Sequence, residues 1–190
     1  LDFILVTNLA QYDGSYSHII DEILLDSEKY KLVWESRTTK FGFQSPDIFE
    51  KPGTSIIKLE SIIKRVIDDY LIEFKSQPNI FIQSWPKMIK LTGWFNRLLK
   101  DGYHTSHIHS NGWLSGVVYL KLPNSDNSNE GGIEFGLHGY ELPIIDPNYP
   151  RKLYQPKRGD IILFPSSLFH RTVPIKSDSE RCVIAFDMVP

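Results

Sequence analysis

The chain has 190 residues, 41% of them hydrophobic and 13% aromatic, with 21 basic side chains against 23 acidic ones. That composition describes one globular domain, large enough to bury roughly 70% of the surface its unfolded chain exposes, and far too apolar for a disordered segment. A net charge of −2 argues against a nucleic-acid grip, which needs a basic face, and apolar runs as short as Ile161–Phe164 fall well below the ~18 residues of a membrane-spanning helix.

The chain opens on Leu1-Asp2-Phe3, with neither an initiator Met nor the basic n-region of a signal peptide; we expect a C-terminal fragment of a longer protein. Phe3 to Thr7 is β-branched and apolar and reads as a strand. Ser15 to Leu25 reads as a helix with Ile19, Ile20, Ile23 and Leu24 on one face. Tyr30 to Trp34 is a second short strand. After Pro52-Gly53, Thr54 is the expected N-cap of a longer helix. Its apolar residues Ile56, Leu59, Ile63, Val66, Tyr70 and Phe74 keep a period near 3.6 until the chain approaches Pro78. From Asn79 onward the pattern changes. Short apolar segments (Ile80–Gln83, Met88–Leu91, Trp94–Leu99, Trp113–Leu122, Ile133–Phe135, Ile161–Phe164 and Arg181–Met188) alternate with turn chemistry such as Asp101-Gly102, Asn111-Gly112, the Asn/Ser run 123–129 and Lys176–Ser179. Such a succession predicts an α+β fold. Residues 79–190 form a jelly-roll core, and residues 1–78 form a mixed, largely helical support within the same single domain.

Cys182, the single cysteine, rules out an internal disulfide and any multi-cysteine metal site. It also favours a reducing, cytoplasmic setting. His107-Ile108-His109 carries two imidazoles two residues apart; on a strand both lie on one face, roughly 7 Å apart at Cβ, from where both can reach one ion. His104, three residues ahead of His107, would face the other side of a continuous strand. His170 follows an apolar strand and a Pro-Ser-Ser turn, and Arg181 heads another strand after Lys176–Glu180, so the two are expected on neighbouring antiparallel strands. An arginine pointed into a barrel is a buried charge that demands an anion, most naturally a carboxylate bound in bidentate fashion.

The order of these pieces resembles the iron(II)- and 2-oxoglutarate-dependent dioxygenases. The pieces are His107-x-His109, Trp113–Leu120, Gly131-Gly132-Ile133-Glu134-Phe135, Gly159–Pro165, His170 and Arg181. The chain looks most similar to a bacterial branch of 2OG-Fe(II) oxygenases often found downstream of tetratricopeptide repeats, over about residues 94–187. The resemblance implies a double-stranded β-helix with N-terminal supporting helices, and Fe(II), 2-oxoglutarate and O2 as cofactors. It also implies hydroxylation of a peptide side chain or small molecule with release of succinate and CO2, and a tetratricopeptide-repeat region upstream. It places His107, His109 and His170 at the metal, Arg181 on the far carboxylate of 2-oxoglutarate, and Tyr119 beside it. Strand alternation then sends Ser115 to the same pocket, and Arg97 and Trp113 are candidate substrate contacts. The family's first motif is usually His-x-Asp/Glu, whereas this chain has His109 in the carboxylate position. Two other readings compete with this one. The first is a three-histidine cupin-like metalloprotein of another oxidative class, although Trp113 and Leu114 stand where a cupin carries Glu. The second is a non-enzymatic jelly-roll binding module using Trp94, Trp113, Tyr140 and Tyr149.

Overall fold

The computed structural model describes residues 1–34, 37–124 and 129–190. Strand β1 (Leu5–Asn8), a single 3-10 turn and helix α1 (Tyr16–Ser27) open the chain, followed by β2 (Val33–Trp34) and β3 (Thr39–Gln44). Helix α2 (Thr54–Phe74) and the short α3 (Ile80–Gln83) precede the β-rich part: β4 (Lys90–His104), β5 (Leu114–Lys121), β6 (Ile133–Gly136), β7 (Lys152–Tyr154), β8 (Asp160–Pro165), β9 (Phe169–Thr172) and β10 (Arg181–Val189). Seven strands form a major sheet in the order β1-β8-β5-β10-β4-β3-β2, and three form a minor sheet in the order β7-β6-β9. Every paired neighbour is antiparallel. This is the jelly-roll architecture, with the two helices of the first third packed on the outside of the major sheet.

The central strand β10 shows how a period of two sorts the core. Cys182, Ile184, Phe186 and Met188 turn outward and join Ile19, Ile23, Leu59, Ile63 and Val66 of α1 and α2 in the larger apolar cluster. Arg181, Val183, Ala185 and Asp187 turn toward the minor sheet and line a cleft between the two sheets. Strand β5 repeats the division: Val118 and Leu120 face the helices, while Val117 and Tyr119 join Phe164, Ile133 and Phe135 between the sheets. Gly116 sits directly under the Phe186 ring, which a Cβ at that position would strike. Phe186 is fully buried, so Phe186→Ala removes a ring from a closely packed layer and leaves a cavity that the rigid β-strand pair cannot close. A loss of about 3–5 kcal/mol is expected, measured as a shift of the urea midpoint at unchanged m-value.

Several sequence expectations are adjusted by the structure. The Thr54 helix begins as expected, but Gly53 holds the cap position and Thr54 is the first helical residue. Ile80–Gln83 is a helical turn rather than a strand, because the Asn79 side chain accepts from the Phe81 amide and caps it. Met88 and Ile89 precede the strand, while Lys90, Leu91 and Trp94–Leu99 belong to one long β4. Its Asp101-Gly102 pair makes a bulge, with Asp101 at φ 62° and Phe41 opposite at φ 49°, instead of ending the strand. Strands β3, β7 and β9 were not legible: Gly42 interrupts the first, and Lys152–Tyr154 and Phe169–Thr172 are too short and polar to alternate. Ser125–Ser128 of the predicted Asn/Ser loop lie outside the described residues. No described helix is long and apolar enough to cross a membrane.

Candidate metal centre

Between β4 and β5, both strands of the major sheet, the chain crosses over to the minor sheet and back, and His107 and His109 lie on that crossover. Thr105 donates its amide to the Thr38 carbonyl at 2.9 Å on the major-sheet side. His107 then exchanges two backbone hydrogen bonds with His170 of β9, both 3.1 Å, and the His109 amide donates to Ser166 at 2.9 Å. The expected strand through His107-Ile108-His109 is therefore absent among the described elements. The imidazoles converge because the crossover segment is pinned to β9 and to the end of β8. Ring centroids are 5.2 Å apart for His107 and His109, 4.5 Å for His107 and His170, and 5.1 Å for His109 and His170.

Each ring is oriented by a partner at Nδ1. His107 donates Nδ1–H to the Thr105 carbonyl at 2.6 Å, His170 donates to the Leu168 carbonyl at 3.0 Å, and His109 donates to the Asp187 carboxylate at 2.6 Å. Carbonyl and carboxylate oxygens only accept, so the proton of each neutral ring is committed to Nδ1 and the Nε2 lone pair is turned inward. The Nε2 atoms of His107 and His109 lie 3.2 Å apart, and one ligand atom from each of the three histidines falls within 4.8 Å of the other two. Converging imidazole lone pairs, each ring held from behind by an acceptor, are the donor set of a divalent transition-metal site.

Burial keeps the neighbouring rings uncharged. It lowers His107 to about 4. It also drives His170 well below the usual histidine value, with the adjacent His107 and His109 adding to the effect, and lowers His104 similarly, with the Arg181 charge adding to burial. The unfolded chain binds these protons near pH 6.5, whereas the folded protein resists them until well below. Stability of the metal-free protein is therefore complete above about pH 6.5 and falls as pH drops toward 4. His107 alone accounts for about 3 kcal/mol of that fall. Thermal melts of metal-free protein at pH 7 and pH 5 should show the loss, and its buried imidazole NMR resonances should not titrate above pH 5.

The other end of the cleft is built for an anion. Arg181 is 2% exposed; its Nε donates to the Gly131 carbonyl at 3.0 Å, while its Nη1 is buried without a hydrogen-bond partner. Gly131, at φ +69°, takes a left-handed conformation that only glycine adopts at no cost, and Arg181 Cδ would lie 3.3 Å from a Cβ placed there. The guanidinium sits 5.0 Å over the Tyr119 ring. Asn96 Oδ1 is also buried and unpartnered, and the His104 Nδ1 lies 2.9 Å from the Thr172 hydroxyl. Val117, Ile133, Phe164 and Val183 supply apolar walls, and the whole cleft holds about 340 Å³. An uncompensated buried cation is costly, so the residues present fit a carboxylate at Arg181 and a cation at the histidines, held in one cavity.

The structure thus brings His107, His109, His170 and Arg181 together, but His170 and Arg181 do not share a sheet. They face each other from β9 and β10, because the connection between them crosses the sandwich. Tyr119 does not line the cleft; it backs the guanidinium. Ser115 is placed at the histidine end rather than beside Arg181. Its hydroxyl is engaged with Asp187 at 2.6 Å and Ser166 at 2.8 Å, because four residues of β5 separate it from Tyr119. Neither expected substrate contact reaches the cleft. Arg97 pairs with Glu180 at 2.6 Å on the face that Cys182 shares, and Trp113 stacks on Phe81 at 5.5 Å in the helix-side core. His104 does line the cleft, since β4 ends there and the next residues turn inward. Trp94, 5.7 Å from the His109 ring, and Asp187 line it too. Alternation along β10 puts Asp187 on the face of Arg181, but nothing local in the sequence marked its contact with His109. The aromatics of the binding-module reading are dispersed: Tyr140 packs on Phe169 and Tyr149 borders a separate cavity.

A protein-family model described as "Putative 2OG-Fe(II) oxygenase" matches residues 92–187, just over half of the chain. No curated protein matches the chain in sequence. Among solved structures, a Pseudomonas putida prolyl-4-hydroxylase is similar at a TM-score of 0.67 and 11% identity, covering 98% of this chain and 91% of that one. HygX from Streptomyces hygroscopicus, with nickel and 2-oxoglutarate bound, is similar at a TM-score of 0.62 and 14% identity, covering 98% and 82%. The alpha ketoglutarate dependent epimerase SnoN from nogalamycin biosynthesis is similar at 0.68 and 12%, covering 99% and 76%. At these identities the likeness is one of fold.

Proposed function

The chain belongs to the 2OG-Fe(II) oxygenase family, whose cofactors are Fe(II), 2-oxoglutarate and O2, and from that premise we propose that it hydroxylates a peptide side chain or small molecule. His107, His109 and His170 hold the iron through Nε2, and Arg181 holds the distal carboxylate of 2-oxoglutarate. Bound together, the metal, 2-oxoglutarate and O2 supply the oxidising power to break a substrate C–H bond, with succinate and CO2 released.

The chain's own residues supply geometry and surroundings. The acceptors at the three Nδ1 atoms lock the rings in place, so little reorganisation is required when the ion enters. Tyr119 fixes the guanidinium from behind by cation–π contact. Three neutral imidazoles leave a divalent ion at +2, which cancels the −2 of 2-oxoglutarate and lowers the cost of burying both. The apolar walls exclude water from the cofactor. The open side of the histidine cluster runs past Trp94, Ser110 and Asn111, and there the substrate enters. A cytoplasmic setting accords with Cys182, buried and unpaired.

The observation that carries this reading is the juxtaposition, in one cavity, of three inward-turned imidazole Nε2 atoms and a buried arginine lacking an anion. The test is succinate formation by purified protein, supplied with Fe(II) and 2-oxoglutarate and with each omitted in turn. Succinate is expected only when both are present. Under 18O2 one labelled oxygen should appear in the succinate and, with a true substrate, one in the hydroxylated product. Protein that neither binds a divalent metal nor consumes 2-oxoglutarate overturns the assignment; labelled succinate with an unlabelled, stereochemically altered product would replace hydroxylation by epimerisation.

A further inference from the structure

Asp187 has the one carboxylate among the described residues that line the cleft. It is buried at 7% exposure, and among the described residues no lysine or arginine pairs with it. Its Oδ1 receives two short hydrogen bonds, from His109 Nδ1 at 2.6 Å and from Ser115 Oγ at 2.6 Å. Ser115 Oγ also lies 2.8 Å from Ser166 Oγ. A serine has one proton to donate, so Ser166 donates to Ser115 and Ser115 donates to Asp187. The carboxylate is thereby fixed from one side by a relay of two serines and from the other by the imidazole.

A buried carboxylate with no cation beside it is costly, yet two strands and a serine relay are arranged to hold this one in place. Arg37 lines the same cleft, and an ion at His109 Nε2 would set a compensating charge directly behind the imidazole that Asp187 holds. The three imidazoles, when neutral, contribute no charge of their own. We propose, resting on the metal-site reading above, that Asp187 is a positioning residue that supplies the metal centre's negative charge from outside the coordination sphere. It acts through the Nδ1–H of His109, making that ring a stronger donor, and Ser115 and Ser166 hold it in register. The site is thus a three-histidine centre with a displaced carboxylate.

Titration of metal-free protein with Co(II), followed by calorimetry and by the visible Co(II) bands, tests this without turnover. Asp187→Asn keeps an acceptor oxygen and the volume but removes the charge; Asp187→Ala removes both. Both variants are expected to bind Co(II) about 10- to 100-fold more weakly than the wild type, with shifted visible bands, and Ser115→Ala should fall between them and the wild type. Circular dichroism and melting of the metal-free variants check that they fold. Wild-type affinity and unchanged bands in Asp187→Asn overturn the proposal, since a merely orienting or space-filling role is met by the amide. His170→Ala serves as the control for the site itself. A wild-type chain that binds no Co(II), or a His170→Ala chain that binds it normally, overturns the metal-site reading and this inference with it.

Discussion

His170→Ala is expected to abolish tight binding of divalent metal and with it all succinate formation. His170 is the one member of the cluster supplied by the minor sheet, and its ring lies 4.5 Å from His107 and 5.1 Å from His109. Without it, the remaining two imidazoles hold an ion from the crossover segment alone. The loss should exceed the ~10–100-fold that removal of an outer-shell partner costs. The fold should tolerate the change better than the site does, because β9 is held by backbone bonds to β6 and to His107 that the side chain does not make. Metal-free His170→Ala should also lose part of the pH dependence described above, since one buried imidazole no longer resists protonation. Calorimetric titration with Fe(II) under anaerobic conditions, alongside melts at pH 7 and pH 5, reads both effects. Retained tight Fe(II) binding would remove the ion from this cluster.

The second large effect is expected at Arg181. Arg181→Met keeps most of the side-chain volume and deletes the guanidinium, so bound 2-oxoglutarate loses its charged partner in a desolvated pocket. Truncating one member of such a pair costs about 2–5 kcal/mol, which is about 30- to 4,000-fold in affinity. Stability should respond differently. Arg181 Nη1 has no partner in the ligand-free protein, so deleting the charge removes a desolvation cost, offset by the bond lost at the Gly131 carbonyl. The melting temperature of the ligand-free variant should therefore not fall while its 2-oxoglutarate affinity collapses. Anaerobic titration of the Fe(II)-loaded protein with 2-oxoglutarate, followed by the metal-to-ligand charge-transfer band, measures the first quantity. Unchanged 2-oxoglutarate affinity would place the cofactor elsewhere.

Much of this site is written in local pattern, and the reason is the period of a β-strand. Alternation along Arg181–Met188 sorts Cys182, Ile184, Phe186 and Met188 from Arg181, Val183, Ala185 and Asp187. The same rule links Ser115, Val117 and Tyr119 on β5. The ordered spacing of His107, His109, His170 and Arg181 carries the family resemblance, and the 3.6-residue period of α2 marks the face it lays on the sheet. Strand existence and the jelly-roll class follow from the same signals. Shorter strands such as β9 do not, because four residues reading Phe-His-Arg-Thr bury by pairing and not by alternation.

Pairing across the sandwich is decided elsewhere. Alternation says which residues share a face but not which face is inside, nor what lies opposite, and Arg97 and Trp113 fell on the helix-packed side for that reason. Ser115 shares a face with Tyr119 yet serves the other end of the cleft, because a strand rises about 3.3 Å per residue and four residues are enough to separate the two ends. His104 turns into the cleft because the chain leaves β4 there to cross between sheets. Asp187 and His109 meet across 78 positions of sequence, a contact no local window contains. Residue chemistry along the chain thus determined which groups were available for a metal and an anion. Only the closing of two sheets over one cavity decided which of them meet, since burial and charge compensation act through space and not along the sequence.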